Sequence, residues 1–360
     1  FEVQKRVQQN SARKIAEDSE LPTEASLSPE EGEWLARADV QRALKVVQES
    51  ARSPLPVLRP NHNLELDLGL DSMQRVELLS QLERQLGGNL EESRLADIYT
   101  VRDLVDAVLE SAATGAAPAS RPAFAGWSAI LSEQPPAHEV LALTRPQKIS
   151  TAFWSLVARV TRMIANDSFH LRVRGVEKLP PSGAYIISSN HQSYLDPVIL
   201  GSVLPPEVFA RVFSVGTSEI FGEGFMLRLA RSLRVIVVDP DANLIPAMRA
   251  GAFGLRQGRP LILYPEGERS IDGTPRIFKK GAAILSIHVQ VPIVPVAIDG
   301  FYEAWPRNHS FQKFAPLKME FGDPIFPPPE SEATEQAYDQ LTSKVKSRVV
   351  EMWEGLRQAL

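Results

Sequence analysis

The sequence predicts two folded units, a small all-α bundle followed by an α/β unit built on a largely parallel sheet. Three observations carry this reading. Residues 33–111 repeat apolar positions at helical spacing. After residue 145, short β-rich apolar runs alternate with helical patterns, as strands buried on both faces do. Between the two, "SAATGAAPASRPAF" is rich in Ala, Gly, Ser and Pro, the composition of a linker. A chain of 360 residues, 44% of them hydrophobic, is long enough for two domains, or one large and one small.

The elements follow in order. Residues 1–32 are polar, and "SELPTEASLSPEEGE" reads as a linker. "EWLARADVQRALKVV" places Leu35, Val40, Leu44 and Val47 on one helical face. "SMQRVELLSQLERQL" does the same with Val76, Leu79, Leu82 and Leu86. "TVRDLVDAVL" opens on a Thr cap, Thr100, and aligns Val101, Leu104, Val105 and Val108. A long loop with Pro54, Pro56 and Pro60 separates the first two helices, and the bundle spans residues 33–112. Residues 113–144 read as an irregular linker on which Trp127 and Ile130 are the docking residues. The second unit, 145–360, begins with an amphipathic helix whose stripe is Ile149, Phe153, Leu156, Val157, Val160, Met163 and Ile164. The strands are "AYIISS", "VIVV", "PLILY" and "VPIVPVAI"; helical patterns such as "NLIPAMRAGAFGLRQG" and "KKGAAILSIHV" lie between them, and a long helix closes the chain.

Composition excludes several classes. With no cysteine there are no disulfides, no thiolate metal site and no cysteine nucleophile, and no metal ligand set is expected. No stretch approaches the ~18 apolar residues of a membrane-spanning helix, and the charged first thirty residues are no signal peptide. Because the first residue is Phe1, the sequence reads as a piece of a longer or processed chain, and the absence of cysteine fits a cytoplasmic location. The net charge of −5 is uneven: residues 1–115 hold 13 basic and 21 acidic residues, residues 116–360 hold 26 and 23. The acidic first part and mildly basic second part either attract one another or are ordinary solvated surfaces. No nucleic-acid partner is expected.

"LGLDSMQRVELL" sets Asp71 and Ser72 at the start of an amphipathic helix, where both types serve as caps. A helix, a long loop and then Gly-Leu-Asp-Ser at a helix start together resemble the acyl carrier protein family over residues 33–112. The resemblance implies a four-helix bundle with Ser72 as the attachment residue for covalent 4′-phosphopantetheine, loaded by a phosphopantetheinyl transferase. Met73 stands where that family more often has Leu. A helix N-terminus favours a phosphodiester anion, and the arm supplies a thiol to a chain without cysteine.

Two His–Asp pairs share one spacing, His62/Asp67 in "HNLELD" and His191/Asp196 in "SSNHQSYLDP". Surroundings separate them. The first lies in the carrier loop with no companion motif. The second follows the strand "AYIISSN", at the C-terminal edge where α/β sheets form active sites. Pro197 also makes Asp196 a natural helix N-cap, and in a regular helix the two side chains would point about 140° apart. Only an irregular turn lets them meet, and the proline favours one.

"NHQSYLD", "RVIVVDPDAN", "YPEGERS" and "VPIVPVAIDG" occur in that order and together resemble the four blocks of the glycerolipid acyltransferase family, which includes lysophosphatidic acid acyltransferase, over roughly residues 145–330. The resemblance implies that His191 is the general base toward an acceptor hydroxyl and that Asp196 orients its ring. It also implies that Glu266, Gly267 and Arg269 shape an acceptor or phosphate site. Taken alone, Arg269 reads first as a surface salt-bridge partner of Glu266 or Glu268, and Lys279 and Lys280 either add positive charge or are solvated. Two positions depart from the family pattern: Pro240 follows Asp239 where an arginine is usual, and Glu268 stands where Thr is frequent. Both lower the local positive charge and leave the acceptor class open.

The two resemblances imply an enzyme that transfers an acyl group from a thioester on its own carrier to the hydroxyl of a lysophospholipid, a glycerol phosphate or another alcohol. In cis, the linker raises the donor's effective concentration to about the millimolar range. The alternatives are transfer to a non-lipid alcohol in polyketide-like metabolism, and a carrier scaffold whose transferase half is inactive. "FEVQKRVQQNSARK" resembles the tail of an adenylate-forming ligase, which implies an upstream adenylating domain. The stripe at 149–164, with Trp154, Arg159 and Arg162 nearby, either lies in a membrane interface, giving peripheral contact on the cytoplasmic face, or packs on its own domain.

Overall fold

The computed structural model describes residues 29–50, 58–64, 67–70, 72–88, 90, 98–113, 126–145, 147–217, 221, 224–238 and 245–358. The ligase-like N-terminal tail, Pro54, Pro56, Asp71 and the Asp239–Pro240 step lie outside these residues, as does the side chain of Ser72.

The first unit is the expected all-α four-helix bundle, with α1 (Pro29–Ala36), α2 (Ala38–Ser50), α3 (Ser72–Leu86) and α4 (Val101–Ala113). The run that reads as one helix divides at Arg37, whose guanidinium pairs with Asp39 at 2.8 Å. The break turns Trp34 into the bundle, where its indole N–H donates to Asp106 Oδ1 of α4 at 2.7 Å. Val40, Leu44 and Val47 of α2, Leu79 and Leu82 of α3, and Val101, Leu104, Val105 and Val108 of α4 are buried together, as their spacing requires. At the start of α4, Asp103 N donates to Thr100 Oγ1 (3.2 Å) and Thr100 N to Asp103 Oδ2 (3.3 Å). This reciprocal cap satisfies two backbone donors that the helix itself leaves open. The long loop is pinned from inside by Leu64, Leu68 and Leu70.

Where the sequence reads as irregular linker, α5 (Gly126–Ser132) and α6 (Ala137–Thr144) form. Trp127, Ile130 and Leu131 recur at helical spacing and are buried. Arg249 donates to Ile130 O (3.3 Å) and pairs with Glu133 (2.8 Å). Both short helices therefore lie on the second unit.

The second unit is a seven-stranded sheet of order β1-β7-β6-β2-β5-β3-β4. Its strands are β1 (Arg172–Arg174), β2 (Ile186–Ser189), β3 (Phe213–Thr217), β4 (Val235–Val238), β5 (Leu261–Leu263), β6 (Ile293–Asp299) and β7 (Lys318–Phe321). All pairings are parallel except β6–β7. The remaining helices in chain order are α7 (Lys148–Phe169), α8 (Asp196–Val203), α9 (Pro206–Phe209), α10 (Gly224–Ser232), α11 (Ile245–Arg256), α12 (Gly281–Val289), α13 (Phe301–Ala304) and α14 (Glu335–Gln358). Side chains alternate across the strands. Ile186 and Ile293 join α11, α12 and α14 in one core, while Ile187 and Val294 join α7 and α8 in another. Helices thus cover both faces, and every residue of β2 and β6 is buried.

The α7 stripe does not pack on this domain. Its Ala165 and Phe169 face the core, but Ile149 is 89% exposed and Phe153, Leu156, Val160, Met163 and Ile164 are all exposed. Among the described residues no helix is long and apolar enough to cross a membrane.

Candidate active site

Strand β2 lies between β5 and β6, parallel to both, so three chain segments leave the sheet side by side at its C-terminal edge. After β2 comes the loop Asn190–Leu195. Asn190 is buried and grips β6, donating to Ile298 O (3.0 Å) and accepting from Ile298 N (2.9 Å). Gln192 donates to Gly273 O (2.6 Å) and accepts from Phe301 N (3.2 Å). Ser193 Oγ donates to Trp305 O (2.8 Å). These polar side chains are buried with their hydrogen bonds made, which holds the loop in one shape.

That shape brings His191 and Asp196 together. His191 Nδ1 lies 2.7 Å from Asp196 Oδ2. The same oxygen accepts from Gln192 N (2.6 Å) and Ser193 N (2.9 Å). Asp196 is the first residue of α8, not its N-cap: Leu195 holds that position and makes no side-chain cap bond. The carboxylate is engaged by the turn in front of the helix instead. It is 1% exposed. Burial pushes its carboxyl up from the ordinary carboxylate range, opposed by the hydrogen bonds from His191, Ser193 and Gln192. With Nδ1 taken, Nε2 is the ring nitrogen left for chemistry, and the side chain is 19% exposed.

The segment after β5 supplies the other wall. Tyr264 lies flat against the imidazole, ring centroids 4.2 Å apart and planes at 21°. Glu266 is buried and accepts from His191 N at 3.2 Å; burial lifts its carboxyl to about 8. Ser270 N donates to His191 O at 2.7 Å, tying the two loops. Gly267 adopts φ +77°, and a Cβ there would sit 3.2 Å from the Lys279 side chain, so this turn favours glycine on both counts.

Arg269 makes no ion pair among the described residues. Its guanidinium sits 3.5 Å above the centre of the Tyr194 ring, and Nη1 is buried without a partner. The carboxylate expected to engage it is occupied elsewhere: Glu268 pairs with both Arg276 and Arg307. Burial works to raise the Glu268 carboxyl, but hydrogen bonds from Arg307 and Arg276 prevail and hold it below its ordinary value. Glu268 thus sets its charge against Arg276 and Arg307 and leaves Arg269 unopposed. Lys279 is exposed, while Lys280 is buried and paired with Glu335 and Asp339 of α14.

Of the five residues expected here, His191, Glu266, Gly267 and Arg269 thus stand on two adjoining loops and Asp196 opens the helix that follows the first. The other pair serves its own loop: Arg59 N donates to His62 Nδ1 (3.1 Å) and Asn63 N to Asp67 Oδ2 (2.7 Å). Ser72 is the first residue of α3, so its place at a helix N-terminus fits a phosphodiester-linked arm. Sequence reasoning missed Tyr264, Gln192 and Tyr194. The signal for Tyr264 was an aromatic ending "PLILY", meaningful only once β5 is known to neighbour β2.

Residues 170–299 match the acyltransferase family model, and residues 40–108 match the model for the phosphopantetheine attachment site. The chain is similar to human 1-acyl-sn-glycerol-3-phosphate acyltransferase alpha, 32% identical over 142 residues, covering 38% of this chain and 48% of that protein. It is likewise similar to the human beta form, 34% identical over 146 residues, covering 39% and 50%. The chain spans about half the length of the curated relatives it matches. Among solved structures, the 1-acyl-sn-glycerophosphate acyltransferase PlsC from Thermotoga maritima aligns with TM-score 0.49 and 22% identity, covering 61% of this chain and 86% of that one.

Proposed function

From a chain that joins a phosphopantetheine-attachment domain to an acyltransferase domain, we propose an enzyme that moves an acyl group from a carrier-bound thioester to the hydroxyl of a lipid acceptor such as a lysophospholipid or a glycerol phosphate. The observation that carries this reading is the 2.7 Å contact between His191 Nδ1 and Asp196 Oδ2 at the C-terminal edge of the sheet. When loaded, the arm on Ser72 supplies the acyl thioester. Everything else falls to the chain's own side chains. Nε2 of His191 takes the proton of the acceptor hydroxyl as its oxygen bonds to the acyl carbon. The carbon–sulfur bond breaks, and the same proton passes from Nε2 to the departing sulfur. Buried Asp196 stabilises the imidazolium between those events. Arg269, with an unpartnered buried Nη1, is the cation placed for an anionic group on the acceptor.

The exposed face of α7 supports reaching that acceptor at a lipid surface: its apolar residues stand in water alongside exposed Arg159 and Arg162. Sedimentation with anionic liposomes tests this part, and a chain that stays in the supernatant removes it.

The main reading is tested with protein loaded by a phosphopantetheinyl transferase and an acyl donor. Transfer to a panel of lipid and non-lipid alcohols is expected to need His191, with Ser72→Ala abolishing transfer in cis yet sparing transfer from an added acyl thioester. A His191→Ala protein that transfers at the wild-type rate rejects the mechanism. Both activities surviving Ser72→Ala unchanged rejects the in-cis donor. Preference for non-lipid alcohols moves the chain to the polyketide-like alternative.

A further inference from the structure

An unbroken row of aromatic rings leads away from the site. It starts at Tyr194, inside the loop between His191 and Asp196, under the Arg269 guanidinium. Trp305 follows with centroids 5.4 Å from Tyr194, and Phe311 lies 6.3 Å from Trp305. Phe314 stands 5.1 Å from Phe311 and 4.9 Å from Phe169, the last residue of α7. Rings that existed only to anchor this segment would be covered. Here Tyr194 and Phe311 are each 38% exposed and Phe314 is 61% exposed. Exposed aromatic surface that starts at the site and continues through half-buried Trp305 marks a binding surface more often than packing. Its two ends differ in chemistry. One carries a cation with an unpartnered buried nitrogen. The other is apolar: exposed Phe314 lies against Phe169, the core-facing last residue of α7. A molecule matching both ends has an anionic head and a long hydrocarbon chain.

We propose that this row is a binding site for the hydrocarbon tail of the acceptor, with the acceptor's anionic head held at Arg269. The inference rests on the lipid-acceptor reading above and adds where the tail runs. The rings bury one side of the chain while the other remains open, so each added methylene contributes about half of its full transfer energy. That corresponds to roughly a twofold gain in affinity per methylene.

The test is a binding measurement that needs no turnover. Alkyl phosphates of eight, ten and twelve carbons, below their micelle concentrations, are titrated into the full chain by calorimetry. For wild type, affinity is expected to rise about fourfold per two carbons. In the doubly substituted Phe311→Ser/Phe314→Ser chain that slope is expected to flatten. Phe314→Leu, which keeps apolar surface, should retain it and controls for folding. Arg269→Gln should weaken every member of the series by a similar factor and leave the slope intact. A flat slope in wild type, or a steep one that survives the double substitution, overturns the proposal while leaving the acyl-transfer reading untouched. If lipid alcohols are never acylated yet the slope behaves as described, the rings bind an alkyl chain but its assignment to the acceptor falls with the reaction reading.

Discussion

Asp196 Oδ2 meets His191 Nδ1 at 2.7 Å while also accepting the backbone N–H groups of Gln192 and Ser193. One oxygen thus shapes the turn and orients the base. An amide oxygen in that place can still accept, with its NH2 where the unpartnered Oδ1 stood, but it brings no negative charge to stabilise the imidazolium. Asp196→Asn is therefore expected to lower kcat on the order of 10²- to 10⁴-fold while leaving acceptor KM within a few-fold. Steady-state kinetics over an acceptor series reads this, and a kcat near wild type would count against the pair.

Tyr264 separates stacking from hydrogen bonding. Its ring supports the imidazole at 4.2 Å, yet its hydroxyl is buried with no partner among the described residues, and burial drives its pKa upward. Tyr264→Phe keeps the wall and removes an unsatisfied group, so turnover should hold and the melting temperature should stay or rise. Tyr264→Ala should lower turnover about tenfold and stability by roughly 2–4 kcal/mol. Equal behaviour of the two variants in melts and turnover would remove the positioning role.

Glu266 gives a pH signature. Burial raises its carboxyl from 4.5 to about 8 in the folded chain. The folded state therefore holds a proton that the unfolded state releases between those values. The group's contribution is fully present below pH 4.5 and is lost as pH rises through about 8. The slope is at most ~1.4 kcal/mol per pH unit. Glu266→Gln keeps the neutral shape, so its denaturant midpoint should fall less than wild type's across this window. Parallel curves would mean that Glu266 is ionised throughout.

Much of this was legible because periodicity is a local property. "VIVV" is β4 to the residue, and the α4 core positions follow from spacing alone. The missed strands β1, β3 and β7 are short or half-exposed and owe their conformation to neighbours in the sheet. The site residues were readable as an ordered set of blocks. Their partners were not. That Glu268 faces Arg276 and Arg307, while Arg269 faces Tyr194, depends on how segment 264–276 meets loops 190–195 and 300–316, and no spacing within any of them encodes it.

Thr100 offers a check on the carrier half. Its hydroxyl accepts from Asp103 N at 3.2 Å at the start of α4, with the reverse bond from Thr100 N. Thr100→Ala should cost about 1 kcal/mol of bundle stability without altering the mass gained on phosphopantetheinyl loading. A melt of the full chain that shows no shift would assign the cap no energetic role.

Glu268 is where charge decides the acceptor. It is 45% exposed and holds Arg276 and Arg307, two cations on the rim beside Arg269. Glu268→Thr releases both guanidinium groups from their carboxylate, while the Arg269 side chain keeps Tyr194 and its carbonyl keeps the bond from Arg307 (3.2 Å). Freed arginines add attraction for phosphate that salt screens, since this rim is open to water. KM for phosphate-bearing acceptors should then fall about three- to tenfold at low salt and return toward wild type as salt rises, with neutral alcohols unchanged. The ratio of the two KM values across a salt series measures this directly. If both acceptor classes shift together, Glu268 acts by holding the 268–276 and 305–309 segments in place rather than by setting charge.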